Sequence, residues 1–357
     1  MTGGNVTQIS SKKIFKGILG ISLMTLMVNS NNSYAINVSG YINAEYNDFQ
    51  LENRNAETSR NPPYGGFDVQ RVGLVFQHEA DIFKVYAQAQ FIHAAAFSDH
   101  GNGKGANAAN EVGYGEIAME RAFIEARISK AFHLKVGKEL TPTVWQRAHY
   151  PSIYPSITNP QIAEAVFHEY IVGMIASGDL PYGFLYDMWL QNSENTSVPT
   201  AEGHNNVTDA KKPRISKGAR FGWKTEEQDY SVYFGVLGAQ YAENSLNQSP
   251  YGYETALTFK RFTVWGEFNK GKLSQGYYIL PSYSIPISED SDISPYLLAD
   301  FYKDVKVGPD TRKVYAAGLN YKPYSYLTAK AEYVKTLANN SELQSGGVRL
   351  GLIYFFN

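Results

Sequence analysis

Apolar side chains recur at every second position in about sixteen short segments of this chain, and the connections between those segments run long, short, long, short. A period of two is the mark of a β-strand with unlike faces. In Phe83–Phe91, for example, Phe83, Val85, Ala87, Ala89 and Phe91 alternate with Lys84, Tyr86, Gln88 and Gln90. Ala122, Ile124, Ala126 and Ile128 stand opposite Arg121, Phe123, Glu125 and Arg127. Near the end, Leu327, Ala329, Ala331 and Tyr333 oppose Thr328, Lys330 and Glu332. The reading puts Ala87 on the apolar face and Gln88 in water.

The segments lie near 37–46, 67–78, 82–92, 116–128, 132–140, 170–178, 183–191, 214–224, 230–241, 251–260, 262–270, 276–286, 293–302, 312–322, 326–335 and 347–357. The sixth and twelfth do not alternate cleanly. Soluble sheets alternate too, so the connections carry more weight. Residues 47–66, 93–115, 141–169 and 192–213 are long, whereas Glu79-Ala80-Asp81, Ser129-Lys130-Ala131, Glu226-Glu227-Gln228-Asp229 and Pro323-Tyr324-Ser325 are short and Lys260-Arg261 is a tight reversal. A soluble sandwich has no reason to keep that rhythm. An outer-membrane barrel does, because its turns on one side are short and its loops on the other are long. The expected fold is all-β: a closed antiparallel transmembrane β-barrel of about sixteen strands. Lipid offers no partner to an open sheet edge, so the last strand must pair with the first.

The N-terminus fits export. Lys12, Lys13 and Lys16 precede an apolar run from Gly17 to Val28, and Ser33 and Ala35 supply the small residues of a cleavage site. Residues 1–35 read as a secretory signal peptide and residues 36–357 as the barrel. The apolar run is shorter than the roughly 20 residues a spanning helix needs. The whole chain carries a formal charge of −2 and no cysteine. That balance does not suit a nucleic-acid partner, and disulfide scaffolds and thiolate metal sites are excluded. Aromatic content of 14%, with 27 Tyr and 19 Phe, fits interfacial girdles around a barrel whose other face meets water.

The last segment places Val348, Leu350, Leu352, Tyr354 and Phe356 on one face. This resembles the C-terminal signature of Gram-negative outer-membrane barrels, apart from Asn357 beyond the aromatic. With the leader and the loop rhythm, the chain resembles the sixteen-stranded porins. Val136-Gly137-Lys138-Glu139-Leu140-Thr141-Pro142, leading into a long third loop, looks like the corresponding stretch of the phosphate-selective group, whereas the Pro-Glu-Phe-Gly-Gly pattern of general porins is absent. The resemblance implies a homotrimer in the outer membrane, among outer-membrane lipids. It also implies passive diffusion of small hydrophilic solutes and ions, with no cofactor.

Alternation assigns the charges that face the lumen. Arg71, Lys84, Arg121, Arg127 and Lys135 fall on strands two to five, Arg214, Arg220 and Lys224 on strand eight, and Lys330 and Arg349 on the last two. Glu45, Glu125, Asp187, Glu254, Glu267, Asp300 and Glu332 fall on the same face. Such charges set selectivity where a constriction focuses their field, or simply pair with one another. The third long loop holds Trp145, Arg147, His149 and Tyr150 among prolines. Stiffened and apolar, it is expected to fold into the lumen, with those four residues opposing the basic wall in a mildly anion-preferring constriction. A substrate-specific channel for phosphate, sugar or an aromatic compound, and a plugged structural or adhesive barrel, remain alternatives. His149 with Arg147, or His168 with Glu169, lacks the base–orienter arrangement of an active site, and no metalloprotease, Walker or nucleophile-elbow motif occurs. The chain reads as a non-enzyme with no catalytic and no metal site.

Overall fold

A computed structural model describes residues 36–51, 66–98, 116–147, 155–192, 215–241, 249–304, 310–339 and 344–356. The leader, His149, Tyr150 and Arg214 lie outside the described residues. Sixteen spanning strands form one antiparallel sheet: β1 Asn37–Leu51, β2 Gly66–Ala80, β3 Phe83–Ser98, β4 Glu116–Ser129, β5 Phe132–Leu140, β6 Tyr170–Asp179, β7 Phe184–Asn192, β8 Ile215–Glu226, β9 Tyr230–Gln240, β10 Tyr251–Phe259, β11 Phe262–Lys270, β12 Ser274–Tyr283, β14 Asp292–Asp304, β15 Asp310–Tyr324, β16 Leu327–Ala338 and β17 Ser345–Phe356. A two-residue strand, β13 Ile285–Pro286, continues the β12 hairpin against β14. The sheet closes where β17 lies along β1, from Gly40 opposite Phe356 to Leu51 opposite Ser345.

The outer wall is apolar because the alternation puts Val85, Ile124, Val136, Phe234, Val236, Ile279, Leu297, Leu350 and Leu352 there, all exposed. Aromatic residues gather at both ends of the strands. Phe132, Phe184, Tyr230, Phe259, Phe262, Tyr283, Tyr324 and Tyr326 sit at the tight-turn end, and Phe67, Tyr251, Tyr253, Tyr277 and Tyr333 toward the other. Such rings belong where one edge meets hydrocarbon and the other headgroups. One of the two-residue reversals, Phe259 to Phe262, is made by holding Lys260 at a φ of 53°.

The third long connection, between β5 and β6, contains α1 Val144–Arg147 and α2 Gln161–Ala165. Its apolar residues Trp145, Ile162, Ala163, Val166 and Phe167 are buried with Leu237, Tyr278, Leu280, Leu298, Val314, Ala316 and Val334 from the inner wall. This explains the two strands that alternate poorly. On β12 the inward Tyr278 and Leu280 are covered by the loop, and on β6 the inward Ile171 and Ile175 pack on Trp189 of β7. A wall covered by protein can be apolar on both faces.

Candidate functional site

Two halves of the inner wall differ in chemistry. Strands β2 to β5 carry a cross-strand row in which Glu79, Lys84, Glu125 and Lys135 face one another in succession. Alternating opposite charges on neighbouring strands attract directly. Lys84 lies 3.5 Å from Glu79 and Arg127 lies 3.1 Å from Glu125 and 3.3 Å from Glu79. Lys135 is held 3.0 Å from Glu139, with its ammonium over the Phe123 ring at 4.8 Å. Above this row, Arg121 donates to Gln88 Oε1 through Nε and Nη2 and to the Tyr86 hydroxyl at 2.6 Å, with Glu139 3.7 Å away. Its guanidinium also lies over the Tyr86 ring, itself stacked on Phe123. Arg71 stands opposite Asn43 of β1. The five basic residues expected on β2–β5 therefore share one side of the lumen with Glu125.

In two of these pairs the acid is clearly the deeper member. Arg127 and Lys135 keep 37% and 25% of their side-chain surface exposed, whereas Glu125 and Glu139, which they pair with, keep 8% and 11%. In these two pairs the acid lies against the wall and the cation stands over it, whereas at the turn end the order reverses, with Glu79 45% exposed and Lys84 18%.

The other half carries Asp187, Glu254, Glu267, Asp300 and Glu332 with Arg220 and Lys330 buried among them, and the third connection lies on it. Val144 donates its backbone N–H to Glu254 at 2.8 Å and Trp145 to Glu267 at 2.6 Å. Gln161 donates to Asp300 at 2.8 Å, at the start of α2. Glu332 accepts from the Ser156 hydroxyl at 2.8 Å, from the Ile157 and Thr158 N–H groups at 3.1 Å each, from the Thr158 hydroxyl, and from the Tyr296 hydroxyl at 2.8 Å. Carboxylates from β10, β11, β14 and β16 thus supply the partners that a loop without regular sheet or long helix leaves its backbone seeking. Arg220, 1% exposed, reaches Glu254 through Nε, Asp187 through Nη1 at 2.7 Å and the Tyr233 hydroxyl through Nη2. The loop's far root is held by His168, whose N–H donates to the Tyr241 hydroxyl and whose ring stacks on Tyr241 at 3.9 Å. Burial lowers its pKa from the ordinary imidazole value.

Trp145 is therefore not turned toward the basic wall, as the sequence reading expected. It is buried, edge-on to Tyr278 at 6.1 Å. Arg147 ends α1, and its side chain lies outside what the structure describes. Below the loop a cavity of about 530 Å³ is lined by His133, Asp179, Asp187, Lys224, Tyr233 and Trp265. What the sequence reading missed is that the inward acids of β10–β16 are loop anchors. The signals were there: Asn159-Pro160 precedes a short helix from Gln161, and Ile162 and Ala163 within it are followed by the apolar Val166 and Phe167 at helical spacing.

No known family description matches the sequence, and no curated protein matches it. Similarity appears in three dimensions. Salmonella typhi OmpF, solved with daunomycin, superposes with a TM-score of 0.57 at 10% identity, over 92% of this chain and 99% of its own. This chain has the porin fold. An anion-selective porin from Comamonas acidovorans matches with a TM-score of 0.54 at 11% identity, over 90% and 99% of the two chains. OmpT, an outer-membrane protein of Vibrio cholerae, gives 0.56 at 8% identity, over 92% and 99%. At these identities the likeness is one of fold.

Proposed function

We propose that the protein is an outer-membrane porin through which small hydrophilic solutes diffuse passively, with a mild preference for anions. The observation that carries the reading is how the loop divides the lumen. It covers Glu254, Glu267, Asp300 and Glu332 with its own backbone, whereas Arg127 and Lys135 on the β2–β5 side keep part of their side chains exposed. On that side Arg127 and Lys135 stand over Glu125 and Glu139, while Glu79 at the turn end stays more exposed than Lys84. A charged wall in a narrow, low-dielectric passage concentrates counter-ions, and salt screens the effect. The pairs along β2–β5 keep the preference mild. We assign no catalytic role.

Reversal potential across a salt gradient in planar bilayers tests this. The wild type should conduct and favour the anion, and Arg121→Ala with Arg127→Ala should move the potential toward zero. No conductance removes the channel, and a cation-selective wild type removes the preference. Saturation of the current by one solute would favour the substrate-specific alternative.

We also propose the homotrimer. Among the described residues, the exposed large apolar side chains of β3, β4 and β5 are Phe, Val, Ile and Met, without Tyr or Trp, while β9 to β16 carry exposed Tyr230, Tyr251, Tyr253, Tyr277, Tyr315 and Tyr333. A wall facing headgroups acquires Tyr and Trp, and one facing another protein need not. Chemical cross-linking in detergent should give a trimer, and Ile124→Arg should release monomers.

A further inference from the structure

The outer wall is not evenly apolar. The register aligns Ala176 with Met188, Met188 with Ala219 and Ala219 with Gly238, so one row across β6–β9 is small at three of its four positions, Met188 on β7 being the exception. The next row toward the tight turns is bulky: Tyr186, Phe221, Val236 and Tyr253. The next row toward the long connections holds Met174, Leu190, Lys217 and Gln240. Small residues between two raised rows make a trough, and a groove of about 750 Å³ lies there. That volume is within the range of about 300–1,000 Å³ typical of small-ligand sites. Strands of such barrels are tilted by roughly 35–45°, so a row across them runs obliquely through the leaflet, as a bent lipid chain can.

Lys217 gives the trough a polarity. It lies near the Ile215 end of β8, on the long-connection side, and its neighbours Ser216 and Gly218 occupy the inward positions. The lysine therefore stands exposed on the outer wall, and among the described residues no ion pair holds it. A lysine on this face is costly at the bilayer midplane and nearly free at the interface, where its stem lies along apolar wall and its ammonium meets headgroups. Gln240 is its cross-strand neighbour. An apolar trough bordered on its outer-leaflet side by a cation and an amide matches an anionic amphiphile.

We propose that this trough seats an acyl chain of the phosphorylated glycolipid of the outer leaflet, with a phosphate on Lys217. The proposal rests on the outer-membrane reading above. It adds a lipid site on the outside of the barrel, separate from the lumen.

Gly238 offers the cleanest test, because a Cβ there would meet nothing nearer than the Pro250 carbonyl oxygen at 3.6 Å. Gly238→Phe should fill the trough and leave the wall intact. Full-length barrel in detergent is mixed with bisphosphorylated lipid A, and bound lipid is read by native mass spectrometry beside bilayer conductance. Wild type should retain lipid A. Lys217→Ala should lower retention about fivefold, the effect of one basic residue at a charged lipid surface. Gly238→Phe should abolish it, and dephosphorylated lipid A should bind wild type no better than lipid A binds Lys217→Ala. Both variants should conduct like wild type. Should Gly238→Phe fail to conduct, Ala219→Phe takes its place. Retention unchanged in both variants overturns the proposal, as does equal retention of phosphatidylglycerol. Dissociation of an oligomer by the filled trough also overturns it, since a second copy would then be the occupant. Loss of conductance in the wild type would count against the porin reading and leave the lipid result standing by itself.

Discussion

Arg220 shows how one side chain holds the interior together. Buried at 1% exposure between Asp187 and Glu254, it is the cation that permits two acids to sit in the wall, and Glu254 in turn holds the Val144 N–H. Arg220→Met leaves two buried carboxylates without their cation, and removing one partner of such a network costs about 3–5 kcal/mol. Urea unfolding in lipid vesicles should register that loss, and adding Asp187→Asn with Glu254→Gln should restore much of it. An unchanged midpoint in Arg220→Met would show that the network contributes little. His168 gives a pH-dependent counterpart. Its pKa is lowered by burial, so the unfolded loop binds a proton more readily than the packed one. The packing is fully stable above the ordinary imidazole value of 6.5 and weakens as pH falls from there toward the lowered one. Proteolysis near the β6 root should accelerate below that pH in wild type, and His168→Phe, which keeps the stack on Tyr241, should flatten the response. Gln88 corrects a simpler expectation. The alternation placed it in open water, but it is buried beneath Arg121, accepting from it and from Tyr86. Gln88→Arg would press a second guanidinium on the first and should not fold as readily as a lumen position in open water would allow.

At the scale of the strand, period two is almost sufficient. The expected segments and the observed strands agree in number and differ at their ends by a few residues, because hydrogen bonding continues past the last clear alternation, as in β1 to Leu51 and β3 to Ser98. The facing of β3 follows from the same period: Val85 is exposed and Tyr86, Gln88 and Gln90 are buried. Ala87→Arg places a charge on the outer face and should cost about 2–4 kcal/mol if it lies near the bilayer midplane. Equal folding yields for Ala87→Arg and Ala87→Leu would show the facing to be wrong. The loop was harder to read. Its prolines and aromatics indicated packing, but which wall it chose depends on acids more than a hundred residues away in sequence, such as Glu254 for Val144. A local pattern carries no record of that pairing. The same holds for Trp145, which any reading by composition places near the arginines, and which the apolar inner faces of β11 and β12 draw to the opposite side.

For the whole molecule, the loop and the wall are complementary in charge as well as in shape. Four inward carboxylates against one inward lysine, Lys330, would make the β10–β16 side of an empty barrel attractive to cations. The loop changes that by covering them, since each accepts hydrogen bonds from its backbone. Loop and selectivity are then linked, and excising the loop should do two things. Replacing residues 144–166 by a short Gly-Ser connection widens the passage, so single-channel conductance should rise. It also returns Glu254, Glu267, Asp300 and Glu332 to water, while the cations of β2–β5 stay where they were. The reversal potential should therefore move toward cation preference, more strongly at low salt, where the screening length is about 30 Å at 0.01 M against about 10 Å at 0.1 M. Widening alone would weaken any preference and could not reverse it. Reversal, and its loss when Glu267→Gln and Asp300→Asn are added, would tie the sign of selectivity to the covered acids. A wider pore that keeps its anion preference would mean that the arginines of β2–β5 govern selectivity without help from the loop.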